Sequence, residues 1–317
     1  MNIKTVCVFG GSGFIGSHIV HRLSAMHYRV RVPCRRRERA KHLILLPAVE
    51  VIDAEVRDPA ELERLTQGMD AVINVTEILH EERGRPGFEA IHVELPGKIL
   101  QACHKNGVKR FLHMSALNAD PNGPSAYLRS KGNGEAMVRE RAGPIPATIF
   151  RPSAVFGRED TFLNLFATLN RRLPVIMLGS PQARFQPVFV EDVGRAFVAG
   201  LGNEDTFGKS YDLCGPAVYT LRELVEYVGR ISGKPRRVVA LSDRSSYLQA
   251  WMMEWLPVKL LTRDNYYSMK VDSVCGCEFP GVFGFKPTPL EAEAPGYLAQ
   301  AYSPRKRYYA FRCWAGR

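Results

Sequence analysis

The stretch TVCVFGGSGFIGSHIVHRLSAMH, residues 5–27, decides the fold of this 317-residue chain. Its first five residues are apolar or β-branched, which is typical of a buried strand. A glycine-rich run follows, and apolar residues then recur at 14, 15, 19, 20 and 23, close to the spacing of a helix. The stretch therefore predicts a strand, a tight turn and a helix in direct succession.

The same alternation of strand and helix continues along the first half of the chain. Further strand-like segments lie at 28–34, 49–56, 70–76 and 108–116, and helix-like segments lie at 59–68 and 96–107. Strands that alternate with helices at this pitch form βαβ units with a parallel sheet. We therefore predict an α/β fold built on a doubly wound parallel sheet.

The composition is that of an ordinary globular protein. Apolar residues make up 45% and charged residues 24% of the chain, and no apolar run reaches the roughly 18–20 residues of a membrane-spanning helix. The chain enters a strand pattern at once, without a signal or transit sequence, so we expect a cytoplasmic protein. The net charge is +11, but the basic residues are spread along the chain without a nucleic-acid-binding motif, so we expect no nucleic-acid partner.

Neither the cysteines nor the histidines are spaced as metal ligands. The seven cysteines are scattered, and Cys275 and Cys277 have no partner cluster nearby. We expect all seven to be reduced thiols in a reducing compartment, and we expect no metal site. Four histidines, which we expect to be exposed or in the core, have no ligand partners at recognisable spacing: His18, His21, His80 and His92.

The glycine-rich turn has the G-x-x-G-x-x-G spacing of a dinucleotide-binding loop. Gly10 allows the tight turn, Gly13 lets the backbone approach a pyrophosphate, and Gly16 lets the helix pack close to the strand. The helix N-terminus offers N–H groups and the positive end of its dipole to the phosphates. The alternative is a glycine-rich turn without a ligand. The loop residues expected to contact the cofactor are Gly10, Ser12, Gly13, Phe14, Ile15 and Gly16.

The end of the second predicted strand, near Cys34, indicates which dinucleotide binds. An acidic residue there would hold the adenosine ribose hydroxyls and favour NAD(H). This chain has Arg35 and Arg36 instead, and guanidinium groups suit a phosphate monoester. We therefore predict NADP(H) rather than NAD(H), with both arginines on the 2′-phosphate. The alternative is a solvated basic turn.

Tyr127 and Lys131 form a Y-x-x-x-K pair after the predicted strand at 108–116. Residues four apart share one face of a helix, so the lysine ammonium can lower the pKa of the phenol and hold the nicotinamide ribose. The tyrosine then becomes a usable acid or base. The pair predicts contact with the cofactor and leaves turnover open.

Five further strings complete the pattern. They are MSALNADP (114–121), AYLRSKGNGE (126–135), RPSAVFGREDTFLNLFA (151–167), FQPVFVEDV (185–193) and LTRDNYYSMKVDSV (261–274). With the glycine loop and the Tyr–Lys pair, they resemble the extended short-chain dehydrogenase/reductase family, also called the NAD-dependent epimerase/dehydratase family. Within that family they are similar to the NAD(P)H-binding accessory subunit of mitochondrial respiratory complex I and its bacterial relatives.

The resemblance implies a Rossmann domain and a smaller α/β domain for substrate binding or docking. We place the first at 1–155 plus 187–215 and the second at 156–186 plus 216–317. The resemblance carries cofactor contacts to the three loop glycines, Arg35, Tyr127 and Lys131. It also implies that Pro152 and Ser153 flank the nicotinamide side.

Two positions depart from the family's pattern. The family's catalytic Ser or Thr aligns with Ala116, and Ser115, one residue earlier, is the remaining candidate for a catalytic hydroxyl. If Ser115 points to the other side of the strand, ordinary turnover is in doubt. Glu77 stands where many relatives have Gly, and its carboxylate would either crowd the cofactor or face a substrate.

Three functions follow. The first is an NADP(H)-binding protein of the accessory-subunit type, whose nucleotide is structural or sensory. The second is an NADP-dependent oxidoreductase or epimerase that uses Tyr127 and Lys131 on an unknown small-molecule substrate. The third is a docking module for a membrane respiratory complex or the inner face of the membrane, in which 247–261 and the basic tail 304–317 make contact; the alternative for these segments is core packing or a chain terminus.

Overall fold

The computed structural model describes residues 1–82, 84–255 and 261–299. Its chain divides into two compact units, called here the first and the second unit. Among the described residues, the first unit comprises Met1–Pro152, Val190–Leu213 and Cys277–Lys286; the second comprises Ser153–Phe189, Cys214–Gly276 and 287–299.

The strands and helices follow one another along both units. The strands are β1 (Thr5–Phe9), β2 (Arg29–Cys34), β3 (Val49–Asp53), β4 (Ala71–Asn74), β5 (Arg110–Met114), β6 (Ala147–Pro152), β7 (Val155–Phe156), β8 (Val175–Leu178), β9 (Arg184–Phe185), β10 (Val188–Phe189), β11 (Ser210–Leu213), β12 (Tyr219–Thr220) and β13 (Arg237–Ala240). The helices are α1 (Phe14–Ala25), α2 (Lys41–Ile44), α3 (Pro59–Thr66), α4 (Leu95–Lys105), α5 (Ala126–Arg141), α6 (Phe162–Arg172), α7 (Val190–Gly202), α8 (Leu221–Ile231), α9 (Asp243–Met253), α10 (Arg263–Ser268) and α11 (Leu290–Leu298). A π-helical turn, Ala90–Glu94, leads directly into α4.

A seven-stranded parallel sheet forms the centre of the first unit. Its strands lie in the order β11-β6-β5-β4-β1-β2-β3, and every neighbouring pair is parallel. The predicted doubly wound α/β fold is thus confirmed. The strand order reverses between β1 and β4, and ligands of such sheets bind beyond the carboxyl ends of the strands at that point.

The core of the first unit follows from the apolar pattern of the sequence. The helical spacing predicted after the glycine loop places Ile19, Val20 and Leu23 of α1 in the interior, each fully buried. On the other face of the sheet, α3 and α4 cover β1 and β4, and the shared core includes Leu62 and Ile99. These helices leave the carboxyl ends of the strands to the loops.

Short strand pairs and helices build the second unit. β7 pairs with β10 and β8 with β13 in parallel, whereas β9 and β12 are antiparallel. α6 and α8 pack over these strands, and Leu163, Leu224 and Val228 are fully buried in the common core.

The G-R-E-D-x-F-L-N string forms a loop that starts α6. The buried carboxylate of Asp160 accepts hydrogen bonds from the backbone N–H groups of Gly157, Leu163 and Asn164 and from the Tyr297 hydroxyl. Asp160 thus satisfies donors at the start of a helix whose N-cap residue, Thr161, makes no side-chain capping bond. This structural role accounts for the aspartate of the G-R-E-D-x-F-L-N string.

The prediction that all seven cysteines are reduced is wrong. Cys214 and Cys275 form a disulfide within the second unit, with Cα atoms 6.1 Å apart. The two are 61 residues apart in the sequence, so spacing alone gave no sign of the pair. The side chain of Gln186 joins the two segments, because it donates to the Gly215 carbonyl and accepts from the Cys275 N–H.

The aromatic stretch at 247–261 is described in part. Its first residues belong to α9, 256–260 lie outside the described residues, and so does the basic tail at 304–317. Across the described ranges, no helix combines the length and apolar character needed to cross a membrane.

Candidate functional site

The glycine loop joins β1 to α1 and brings backbone segments too close for side chains. Gly10 has a φ of +80°, and a Cβ there would lie 2.7 Å from the carbonyl carbon and oxygen of Val75. A Cβ on Gly16 would lie 2.1 Å from the Gly10 carbonyl oxygen. Both distances are shorter than any tolerable contact, so these positions require glycine.

The N-terminus of α1 has the features of an anion site. Gly13 is its N-cap residue and makes no side-chain capping bond, and the first turn contains no acidic residue. The N–H groups at a helix start and the helix dipole both favour a negatively charged ligand. Ser12 precedes this cap, while Phe14 and Ile15 open the helix. The loop therefore fits the pyrophosphate of a dinucleotide.

The end of β2 presents basic side chains to solvent. Cys34 is buried, whereas Arg35 and Arg36 are exposed. The nearest carboxylate on the neighbouring strand, Asp53, pairs in register with Cys34 and accepts a 2.6 Å hydrogen bond from the Arg37 backbone N–H. Beyond β2 a ligand would therefore meet the exposed guanidinium groups of Arg35, Arg36 and Arg37, next to the carboxylate of Asp53.

Helix α5 carries the Tyr–Lys pair. Its N-cap residue, Ser125, accepts a hydrogen bond from the Leu128 N–H, which starts the helix just before Tyr127. Tyr127 is half-buried, and its ring lies edge-on to His92, with centroids 5.7 Å apart. Lys131 follows one turn later and is 2% exposed.

The Lys131 ammonium forms an ion pair with a carboxylate. Lys131 Nζ lies 2.8 Å from Glu77 Oε2 and donates to the Met114 carbonyl at 3.1 Å. The second Glu77 oxygen, Oε1, lies 2.7 Å from His92 Nε2. The other ring nitrogen of His92, Nδ1, lies 2.8 Å from the Ser130 hydroxyl. Glu77 therefore joins the lysine of α5 to the π-helical turn.

The charges of this cluster control its titration. Burial alone would raise the pKa of Glu77, but the Lys131 charge and the His92 contact outweigh it and hold the pKa at about 2. Burial, followed by the charge of Lys131, lowers the pKa of His113 to about 3. At neutral pH the cluster therefore contains a carboxylate and an uncharged His113.

The comparisons with known proteins identify the family. Residues 6–214 match the model of the NAD dependent epimerase/dehydratase family. The chain belongs to this family. It thus shares the ancestry of proteins that bind a nicotinamide dinucleotide on a fold of this kind.

Two relatives of this chain have names that indicate different functions. The mitochondrial NADH dehydrogenase (ubiquinone) 1 alpha subcomplex subunit 9 of Mus musculus is 33% identical over 299 residues, which are 90% of this chain and 78% of that protein. Ceramide reductase of Caulobacter vibrioides is 31% identical over 244 residues, 75% of this chain and 74% of the reductase. The family member described here is thus similar both to a complex I subunit and to a reductase.

The fold is also similar to that of solved epimerases. The UDP-glucose 4-epimerase of Thermotoga maritima superposes with a TM-score of 0.72 at 20% identity, covering 96% of this chain and 99% of the epimerase. At this identity the likeness concerns the fold alone.

The remaining predicted site residues do not offer an exposed hydroxyl to a ligand. Ser115 is 2% exposed, and its backbone N–H donates to the Phe150 carbonyl. Ala116, which aligns with the family's Ser or Thr, carries no hydroxyl. Pro152 ends β6, and Ser153 belongs to the second unit, where its hydroxyl contacts Ser273.

Sequence reasoning did not assign a role to His92 and left that of Glu77 undecided. His92 is buried within the π-helical turn, a local widening of a helix that no residue spacing predicts. Glu77 follows β4 at the carboxyl edge of the sheet, beside the point where the strand order reverses. That position was the available signal for a functional carboxylate.

Proposed function

We propose that this protein binds NADP(H) and holds it as a structural or sensory ligand. The observation that carries the proposal is the geometry of the glycine loop, where Gly10 and Gly16 are required sterically and the start of α1 accepts an anion. Arg35 and Arg36 would bind the 2′-phosphate as charge-assisted donors. The lack of a hydroxyl at Ala116 supports retention of the nucleotide rather than its turnover.

Each part of the site would then have a definite task. The loop backbone would bind the pyrophosphate, and the face of α5 that carries Tyr127 and Lys131 would lie along the nicotinamide ribose. When bound, the nucleotide would supply hydride chemistry. The chain's own residues would orient it and keep the Lys131 region dry.

The first test is the nucleotide content of the purified protein and its exchange with added NADP(H). Tightly held NADPH that does not exchange over hours supports the proposal. Free exchange would favour the oxidoreductase or epimerase alternative and would justify a substrate screen with Tyr127→Phe as the inactive control. If the purified protein contained no nucleotide and bound none on addition, the proposal would be refuted.

The second test concerns nucleotide choice. We expect the double variant Arg35→Ser/Arg36→Ser to weaken NADPH binding by about 100-fold or more while NADH binding changes little, since two charge-assisted bonds of about 1.5–3 kcal/mol each are lost. The matched control is Arg171→Ser/Arg172→Ser, which removes an adjacent pair at the end of α6. Equal loss of NADH and NADPH binding would contradict the role of these arginines.

An exposed apolar surface of the second unit favours docking as a second function. We call this surface the apolar patch and define it by Met177, Leu248, Trp251, Met252 and Trp255. Trp255 is 78% and Met177 62% exposed. The Gln249 amide donates to the Met177 carbonyl, so β8 and the helix α9 adjoin.

Such a patch on a chain of net charge +11 suits the anionic surface of a membrane. We expect the full chain to co-sediment with vesicles of anionic phospholipid. Trp251→Ser/Trp255→Ser should reduce that binding several-fold, whereas Leu45→Ser, at an exposed apolar residue of the first unit, should not. Unchanged sedimentation of the tryptophan variant would exclude the patch as the membrane contact.

A further inference from the structure

We propose that Glu77 is a positioning residue that neutralises Lys131 and thereby withholds its charge from Tyr127, so that this site keeps a nucleotide without exchanging protons readily. The inference rests on the proposed nucleotide site, because Tyr127 and Lys131 have a proton-transfer role only beside a nicotinamide ring. It goes further by naming the side chain that separates binding from turnover.

The geometry of the ion pair carries the first step. Lys131 Nζ meets Glu77 Oε2 at 2.8 Å and the Met114 carbonyl at 3.1 Å, and the Lys131 side chain is 2% exposed. A buried ammonium held by a carboxylate presents almost no net charge to its surroundings. The i,i+4 relation that would let Lys131 assist Tyr127 is therefore offset by an anion on the same ammonium.

The second step concerns the contact between Glu77 and Tyr127 through His92. Glu77 Oε1 lies 2.7 Å from His92 Nε2, and the His92 ring lies edge-on to the Tyr127 ring. The Phe88 ring stacks on the His92 ring, with centroids 5.4 Å apart, and lies edge-on to the Tyr127 ring at 5.9 Å. Glu77 thus fixes both the lysine and the histidine that flank the phenol.

The remaining charged groups around Lys131 do not replace its charge. His113 of β5 is buried and uncharged at neutral pH. Glu135, one turn further along α5, accepts two hydrogen bonds from Arg151 and is paired with it. Glu77 and Lys131 therefore form a pair of opposite charges one helical turn from Tyr127, and the His92 ring, a further titratable group, contacts both Glu77 and Tyr127.

The experiment is a titration of Tyr127 in the nucleotide-free full-length protein, followed by carbon NMR of labelled tyrosines and assigned with Tyr127→Phe. We expect Glu77→Gln to lower the titration midpoint of Tyr127 by about one pH unit, because the ammonium is then uncompensated. Lys131→Met should raise the midpoint, and Glu77→Gln/Lys131→Met should return it close to that of the unaltered protein. The control is Glu63→Gln, which breaks a surface pair with Lys105 and should leave Tyr127 unchanged.

A midpoint in Glu77→Gln within about 0.2 pH unit of the unaltered protein would overturn the inference. If that variant does not fold, the unaltered protein decides alone: a Tyr127 midpoint well below the value of about 10 for a free phenol would mean that Lys131 acts despite Glu77. NADPH binding is measured separately on the unaltered protein. Failure to bind would refute the proposed function while the titration result would still stand.

Discussion

At the scale of single residues, the site depends on close approach and on charge. The spacing of Gly10, Gly13 and Gly16 was sufficient to predict a loop in which backbone meets backbone, because only glycine tolerates that approach. The pairing of Glu77 with Lys131 could not be predicted. It joins residues 54 positions apart in the sequence, and its charge balance depends on burial that no local pattern encodes.

Acid should destabilise this protein through His113. The folded protein binds a proton there only near pH 3, whereas the unfolded chain binds it near pH 6.5. The contribution of His113 to the free energy of unfolding is therefore fully present above pH 6.5. It falls as the pH drops toward 3, by up to about 1.4 kcal/mol per pH unit. We expect His113→Gln to flatten that part of the profile, as measured by urea unfolding at a series of pH values.

The control for this profile is His42→Gln, at an exposed histidine of α2. It should leave the slope between pH 6.5 and 4.5 unchanged. Below pH 4.5 the low pKa of Glu77 adds a further loss in both variants, because that carboxylate is charged in the fold and protonated in the unfolded chain. An unaltered slope in His113→Gln would show that other groups govern the acid response.

At the scale of elements, helix starts explain motifs that look functional in the sequence. The G-R-E-D-x-F-L-N string indicated a subgroup of the family. In the structure, its Asp160 carboxylate accepts hydrogen bonds from the start of α6 and from the Tyr297 hydroxyl. Helices and strands of the first unit were predictable, since their apolar periods match burial against one sheet. The short strand pairs of the second unit have no such period.

We expect Asp160→Ala to lower the free energy of unfolding by about 2–4 kcal/mol, because three backbone N–H groups and the half-buried Tyr297 hydroxyl lose their acceptor. The matched control is Asp58→Ala. Asp58 is exposed and caps α3 through a single bond to the Ala60 N–H, so its loss should cost about 1 kcal/mol. Chemical denaturation of the two variants gives the comparison, and equal losses would show that the buried network adds nothing.

At the scale of the whole molecule, a disulfide between segments distant in the sequence stabilises the second unit. Its disulfide joins the residue after β11 to a segment beyond α10, a pairing that seven scattered cysteines could not reveal. The family and its sheet, by contrast, were readable from the first half of the chain, because consecutive βαβ units place sequence neighbours next to one another.

Reduction of the disulfide should lower stability by about 2–4 kcal/mol, since the loop that it closes is long and its loss frees the unfolded chain. The measurement is the urea midpoint with and without dithiothreitol. Cys214→Ser/Cys275→Ser should show the lower midpoint in both conditions, whereas Cys277→Ser, at an exposed free thiol, should still respond to the reductant. A midpoint that ignores reductant in the unaltered protein would contradict the pairing.

The division of the chain into interleaved segments affects how it is made. The chain passes from one unit to the other five times, and β11, the partner of β6, is synthesised only after the segment Ser153–Phe189 of the second unit. During translation, β6 is therefore a bare sheet edge with unpaired backbone groups, a surface that invites pairing with other chains. We expect the growing chain to be most open to pairing with other chains over this interval, and neither unit is encoded as one uninterrupted segment.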